Sequence, residues 1–473
     1  MRVVQIWLCI LCVAPLWLSG CGSSFAAVAV SDAAAPDALP THRPPAQHPA
    51  PSPSPSPTPT PTARATAPRP LPSPTPRPPH AQPTVAYHEP DQPPLTLNER
   101  QTMFRDVWQT INQHYIYADF DGLDWPAIWS EYLPRITAAR SDQEFYDLMG
   151  AMVQRLDDQH SRFLPPDAAV AETILRSGHA EQVGIGVITR PASDGVMIQQ
   201  VIEGSPAQQA GLQRRDRIVA IDGIPMIAGG EINGQAGTPV RLTVVRSKGT
   251  AQGIEQREVV LIRQPVQGRI TPYAQRLPHD VGYLSIPTLW INDMHEQVTG
   301  VLNDLVVERP LRGLVLDLRG NPGGWRDVLH GVLGHFVQGN AGFFFDRNGI
   351  RAMTIRDLRR PDLRAVPMVV LVDRETASYA EVLAAILQAE ANAYVIGVPT
   401  AGNTETIYAY EFQHGTRLWV AQEGFRLRNG TELEGVGVQP DELLDVDWTL
   451  YGDMNDPQIL AALRHLGVAL DDD

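Results

Sequence analysis

Apolar positions recur at two periods along this chain, and the change of period divides it. From Leu97 to about Ala180 the spacing is helical. Met103, Phe104, Val107, Trp108, Ile111 and Tyr115 fall three or four apart, as do Phe145, Leu148, Met149, Met152, Val153 and Leu156. Both sets read as core-facing stripes. The second helix runs out in Asp157-Asp158-Gln159-His160-Ser161-Arg162-Phe163-Leu164-Pro165-Pro166. From Val183 to about Arg263 the chain reads as a small β-rich module, with a strand around Val196 to Val201. From about Tyr283 strands and helices alternate. Gly313 to Leu318 is a buried strand, followed by Arg319-Gly320-Asn321-Pro322-Gly323-Gly324 and a helix from Asp327 to Phe336. Pro367 to Val372 is a second strand, its proline at the first position, where a missing N–H is tolerated. It leads through Asp373-Arg374-Glu375-Thr376-Ala377-Ser378-Tyr379-Ala380-Glu381 into an apolar helix, Val382 to Ala389. Tyr394 to Gly397 is a third strand, ending in Pro399-Thr400-Ala401-Gly402-Asn403. This alternation predicts a mostly parallel sheet.

Composition alters the reading of the front of the chain. More than half of the 42 prolines lie between Pro36 and Pro94, in runs such as PSPSPSPTPTPT. Such a stretch favours extended polyproline II and cannot bury a core, so it reads as a semi-rigid stalk. Before it stand a basic start, Met1-Arg2, an apolar run from Val3 to Leu18, and Leu18-Ser19-Gly20-Cys21. That order suits a secretory signal peptide. A cysteine after Leu-Ser-Gly resembles a bacterial lipobox, in which the Cys21 thiol is lipidated. The alternative is an uncleaved membrane anchor, for which the apolar run is short. Either way the globular part is expected in the cell envelope, outside the cytoplasm and tethered to a bacterial membrane. The expected organisation is a signal peptide over 1–20, a stalk over 21–95, a helical subdomain over 96–182, a β-rich domain over 183–266 and an α/β core over 267–473.

Charge and cysteine content exclude some chemistries. A net charge of -15 argues against nucleic acid as the main partner, since phosphate binding needs a basic footprint. Cys9, Cys12 and Cys21 are the three cysteines, so the globular part has no disulfide, cysteine nucleophile or thiolate metal site. No metal or cofactor is implied. In a parallel sheet, functional loops lie at the carboxyl ends of the strands. Ser378 sits there, at the start of a helix. It is either an N-cap, among the commonest roles for serine, or a nucleophile whose neighbouring N–H groups face a developing oxyanion.

Residues 183–263 resemble a PDZ domain. Gly184-Ile185-Gly186-Val187, Gly204-Ser205-Pro206-Ala207 and Asp216-Arg217-Ile218-Val219-Ala220-Ile221-Asp222-Gly223 carry the likeness. In that fold a glycine-flanked loop binds a peptide carboxylate and the peptide adds as a strand. Gly184, Ile185, Gly186 and Val187 match that loop, which would take a protein or peptide with a free C-terminus. Asp317 to Gly324, Thr376 to Glu381 and Glu434-Gly435-Val436-Gly437-Val438-Gln439-Pro440-Asp441 resemble three signatures of the tail-specific, or C-terminal processing, serine proteases. The likeness spans nearly all of residues 97–450. It implies an α/β protease core (ClpP/crotonase-like) with an inserted PDZ domain and an N-terminal helical subdomain. It also implies serine endopeptidase activity, with Ser378 as nucleophile and an oxyanion hole from the N–H of Tyr379 and that of Gly323 or Gly324.

One departure matters. Many members of the family use a lysine base about 25 residues after the serine, and here that place holds Asn403, with Ile407 where a glutamine would follow. Asparagine cannot take a proton. Another branch, similar to tricorn-like proteases and the nisin-resistance protein, takes a histidine from the helical leader. The matching residue is His160, and imidazole has a suitable pKa. Asp-x-His-Ser also occurs in the lysine-using relatives, where it shapes a turn. The resemblance to the tricorn tetrad makes Glu434 the orienting acceptor, with Asp157 and Asp158 as alternatives. Glu381 is expected to face the positive end of its helix rather than perform chemistry. The rival reading is a catalytically inactive, PDZ-containing peptide-binding scaffold.

Overall fold

Thr96 opens the folded chain with a reciprocal cap. Its hydroxyl accepts the Glu99 N–H at 3.3 Å, and the Glu99 carboxylate accepts the Thr96 N–H at 2.7 Å, starting helix α1 (Leu97–His114). This structure is a computed structural model that describes residues 93–228, 231–247, 253–356 and 359–469. Cys21, the apolar leader and the proline-rich stretch up to residue 92 lie outside them. Helices α2 (Trp125–Ala138) and α3 (Asp142–Val153) follow, capped by Asp124 and Ser141. The two stripes read from the sequence meet here: Phe104, Val107, Ile111, Phe145, Met149, Met152 and Val153 are all fully buried.

The helical stretch is interrupted where the sequence reading continued it. A three-residue strand, β1 (Arg162–Leu164), precedes helix α4 (Pro166–Arg176), and strand β2 (His179–Gly184) begins before residue 180. Three residues are too few to register as a period, and β1 exists because a partner from the other end of the chain pairs with it.

The β-rich module contains β3 (Val187–Ala192), β4 (Gly195–Val201), the four-residue helix α5 (Pro206–Gln209), β5 (Arg217–Ile221), β6 (Ile224–Pro225), β7 (Pro239–Ser247) and β8 (Ile254–Ile262). Its sheet runs β3-β4-β5-β7-β8, with β3 at one edge. Strand β9 (Gln264–Arg269) returns antiparallel to β2, so the module enters and leaves the rest of the chain through one two-stranded ribbon. Among the described residues α5 is the one α-helix in the module, beside a single 3-10 turn at Met226–Ala228.

The α/β core is built from β10 (Tyr273–Leu277), β11 (Val281–Ser285), α6 (Met294–Val307), β12 (Gly313–Asp317), α7 (Arg326–Leu333), β13 (Gly339–Asp346), β14 (Gly349–Ile355), β15 (Met368–Val372), α8 (Tyr379–Glu390), β16 (Tyr394–Gly397), β17 (Thr406–Glu411), β18 (Arg417–Arg426), β19 (Glu442–Leu443) and α9 (Pro457–His465). The main sheet is ordered β10-β11-β12-β15-β16-β19 and is parallel except for β10. β12 and β15 are buried along their whole length, as strands covered on both faces must be. A second sheet, β1-β18-β13-β14 with β17 beside β18, ties the helical leader to the core. Leu418, Val420 and Ala421 of β18 share one apolar cluster with Phe104, Ile111 and Met152.

The module is fastened to the core by arginines. Arg214 bonds Asp453 at 2.6 Å and the Tyr283 hydroxyl at 2.9 Å. Arg215, 5% exposed, reaches Asp453 at 2.9 Å and Asp456 at 3.4 Å. Asp456 also receives Arg319 at 2.9 Å, and Arg319 pairs with Asp317 at 2.7 Å. Burial alone would raise the Asp317 pKa; the Arg319 charge and bonds, with Arg215 and the Tyr283 hydroxyl, outweigh it and hold the carboxyl well below its ordinary value.

Candidate active site

The β15–α8 turn carries Ser378. Among the described residues three other Ser or Thr side chains cap helices, Thr96, Ser141 and Ser205, and all have extended backbones (φ -68, -143 and -74°). Ser378 does not: its φ is 55° and its ψ -130°. A side chain other than glycine costs on the order of 1–3 kcal/mol there, so the surroundings must impose it. They do so through the Ser378 N–H, which donates to the Asn403 carbonyl at 2.7 Å and to the Glu381 carboxylate at 2.9 Å. Glu381 is fully buried and also accepts the Thr400 hydroxyl at 2.5 Å and the N–H groups of Gly402 and Asn403 at 2.7 and 2.9 Å. Burial pushes its carboxyl pKa up against the pull of these bonds. Glu381 therefore does more than face a helix end; it ties the serine turn to the 400–403 loop, a role the sequence reading missed.

The loop after β12 lies against the same turn. Asn321 is fully buried; its carbonyl accepts the Ala377 N–H at 2.9 Å and its side chain donates to the Ile286 carbonyl at 2.9 Å. Gly323, at φ 82°, sits so close that an added Cβ would lie 2.6 Å from the Ser378 Cβ and 2.8 Å from the Tyr379 nitrogen. Only glycine permits that approach. The Gly323 N–H donates to the Asn321 side-chain oxygen at 2.9 Å. Gly324 is pressed on the Leu289 backbone, where a Cβ would come within 1.9 Å of the carbonyl carbon. The Tyr379 N–H, first in its helix, carries no hydrogen bond among the described residues.

His160 is held on the opposite side by β1. The Asp158 carboxylate accepts the N–H groups of His160 and Ser161 at 2.8 and 2.5 Å, and the Ser161 hydroxyl accepts the Ala421 N–H of β18 at 3.1 Å. Asp158 thus shapes the turn. The acceptor at the ring is Glu434, whose Oε1 lies 3.4 Å from His160 Nε2. Its Oε2 accepts the Thr404 N–H at 2.6 Å and the Glu405 N–H at 3.1 Å. Burial by itself lowers the His160 pKa, but the bond and charge of Glu434, with Glu405 and Asp158 behind it, hold it above the ordinary imidazole value. The same partnership keeps Glu434 below its ordinary value although burial opposes it.

Asn403 stands at the junction. Its carbonyl holds Ser378 and its side-chain amide donates to Gln159 at 3.2 Å, next to His160. Ile407 packs into the apolar cluster of the helical leader. The ring and the Ser378 hydroxyl share no direct hydrogen bond among the described residues; the 403–405 span, bonded to Ser378 at one end and to Glu434 at the other, joins them. Glu405, buried, with Oε2 3.9 Å from His160 Nε2, was not foreseen. His160, Glu405 and Glu434 lie within 4.8 Å of one another, a spacing that could also hold a metal ion. The ring nitrogen and the Glu434 oxygen instead use each other.

The loop from Gly184 to Val187 leads into the edge strand β3. Ile185 is fully buried, and Gly186, at φ 83°, backs onto Ser205, where a Cβ would overlap at 2.2 Å. Segment 233–234 lies beside this loop: the Gly234 N–H donates to the Val183 carbonyl at 3.1 Å. From the middle of β3, Arg190 reaches the core. It donates to the Arg319 carbonyl at 3.0 Å, bonds Glu375 and lies over Trp448, so the module touches the loops on both sides of the candidate site.

Comparison with known proteins bears on this arrangement. Residues 280–444, which hold Ser378, Gly323 and Glu434, match Peptidase family S41. The α/β core of the chain is thus similar to peptidase family S41. Residues 97–154 match the Tricorn protease C1 domain and residues 197–246 a PDZ domain. The chain is 27% identical over 380 residues to the carboxyl-terminal-processing protease of a Picosynechococcus strain, covering 78% of this chain and 90% of that protein. It is 27% identical over 393 residues to that of a Synechocystis strain, covering 80% and 89%. A solved S41 protease from Bacteroides fragilis has the same fold, with a TM-score of 0.53 at 15% identity over 80% of this chain and 99% of that one. The chain is accordingly a serine-type peptidase.

Proposed function

We propose that this chain is a lipid-anchored, extracytoplasmic serine endopeptidase that cleaves proteins or peptides near unstructured C-termini by a Ser–His mechanism. The observation that carries the chemistry is the Ser378 backbone, bent into a conformation that no other Ser or Thr cap among the described residues adopts. Such a turn exposes a hydroxyl at the top of a parallel sheet. His160 supplies the base. With Nε2 facing Glu434, the neutral ring keeps its proton on that nitrogen, and Nδ1 is left to accept the Ser378 proton. The missing Ser–His bond forms when substrate fills the site, as catalytic bonds are often long in free enzymes.

Ser378 Oγ then attacks the scissile carbonyl. The oxyanion meets the Tyr379 N–H and a second donor, either Gly324 or Gly323 once its N–H leaves Asn321. His160 passes its proton to the leaving amine, and water hydrolyses the acyl-enzyme by the reverse sequence. A fluorophosphonate probe tests this directly. It should label the parent and fail on Ser378→Ala; a parent that does not react returns the chain to the scaffold reading.

The names of the relatives, carboxyl-terminal-processing proteases, support a substrate with a free C-terminus. The Gly184 to Val187 loop at the head of an edge strand supports its capture by the PDZ module. Peptides ending in a free carboxylate should bind more tightly than their amides; equal affinity removes this part. The Leu-Ser-Gly-Cys sequence supports the anchor. Among the described residues no helix is long and apolar enough to cross a membrane. Cys21→Ala should release the protein from membranes or leave it unprocessed.

A further inference from the structure

Glu405 is buried beside the catalytic ring and belongs to no motif. It is 3% exposed, and its two oxygens fare differently. Oε1 accepts the Tyr117 hydroxyl at 2.5 Å. Oε2 has no hydrogen-bond donor among the described residues, and it lies 3.9 Å from His160 Nε2. A buried carboxylate oxygen without a donor is costly, and folded proteins rarely keep one without a use. Here the missing donor has an evident source. When Nδ1 takes the Ser378 proton, the ring becomes a cation and its Nε2–H strengthens as a donor. A small rotation then brings it between Glu434 Oε1, at 3.4 Å, and Glu405 Oε2.

We propose that Glu405 is a positioning residue for His160: a second carboxylate beside Glu434 that accepts the ring N–H and stabilises the imidazolium. The proposal rests on His160 being the base. The two carboxylates are coupled by the backbone, since the Glu405 N–H donates to Glu434 Oε2 at 3.1 Å. The Tyr117 clamp comes from the segment between α1 and α2, so the helical leader contributes to the site from two places, 117 and 160. Tyr115 and Tyr117 from that segment, Asp158 and His160 from the turn before β1, and Glu434 are the titratable groups that face Glu405. Burial pushes the Glu405 carboxyl up to about 7, with Glu434 and Asp158 adding to it and Tyr117 and His160 opposing. It therefore gains its charge in the range where the ring works.

Glu405→Gln separates this role from packing. The amide keeps the volume and can still accept from Tyr117, but it removes the charge and the acceptor at Oε2. Expected are a kcat lower by about tenfold, an unchanged KM, and an acid limb of kcat/KM moved to lower pH, because the ring loses a neighbouring negative charge. Thermal stability should hold or rise. Tyr117→Phe should shift the limb the same way by less, since Glu405 without its donor stays neutral to higher pH. It serves as the test if Glu405→Gln does not fold. His160→Ala is the control for the underlying reading. If His160→Ala stays active, His160 is not the base. If His160→Ala is dead while both other variants keep the parent kcat and acid limb, Glu405 only packs, and the proposal is overturned.

Discussion

The two halves of the proposed catalytic site are built on different plans. The nucleophile half, Ser378 with Gly323 and Glu381, sits in the loops after adjacent parallel strands β12 and β15, and its hydrogen bonds run mostly within and between those loops and the 400–403 segment. The base half joins His160, Glu405 and Glu434, which come from three segments brought together by the β1–β18 pairing and the 403–405 span. The first half depends on backbone geometry, the second on charges facing one another. Changes in the first should therefore damage the site through shape, and changes in the second through proton affinity.

The largest effects test whether the halves act as one unit. Ser378→Ala and His160→Ala should each lower kcat by about 10³-fold or more, and the double variant should lose little beyond either. Single-turnover kinetics on an unstructured peptide would check this; additive losses would mean that the ring is not the partner of the serine. Gly323→Ala should cost about 10²-fold or more in kcat, because its Cβ would collide with Ser378 and Tyr379, with little change in the pH profile. A shifted acid limb in that variant would break the division between shape and proton affinity.

The pH dependence of the parent sharpens the second half. With His160 as the proposed base the neutral ring would be the active form, so kcat/KM should rise with pH, with a midpoint above the ordinary imidazole value of about 6.5. The linkage to stability has the opposite sign. A ring whose folded pKa is raised stabilises the fold fully below about pH 6.5, and that contribution is lost as pH rises through the folded value. Denaturation at a series of pH values should show this part of the stability falling where activity grows. The smallest effect is expected at Asn403. Its carbonyl, which holds Ser378, survives Asn403→Ala, and only the exposed 3.2 Å bond to Gln159 is lost. Activity should fall by about threefold at most; a loss matching that of His160→Ala would mean that the side chain has a role in the chemistry itself.

The difference between the halves also explains what could be read in advance. β12, β15 and β16 are short, continuous apolar runs ending in glycine, proline or small polar residues, and such runs announce buried parallel strands. Ser378 and the glycine pair follow from them. Glu405 carries no such signal: it lies between a threonine-rich loop and β17, and its burial depends on Tyr117, 288 positions away. The bond from Asn403 to Gln159 spans 244 positions, and β1 is a strand only because β18 pairs with it. The arginines of the module were equally silent, since Arg214 and Arg215 look like an ordinary charged turn until the acidic 453–456 segment arrives.

Those arginines have a consequence for how the molecule comes apart. Arg214, Arg215 and Arg319 together neutralise Asp317, Asp453 and Asp456 in a largely buried place. Swinging the PDZ module away would leave Asp453 without Arg214 and Arg215 and would weaken the balance at Asp317, at a cost of about 3–5 kcal/mol for a broken buried pair. That is a large fraction of the stability of a typical domain. The module and the core should therefore melt together, as one cooperative unit in a calorimeter, and a protease that opens one should find the other already loose.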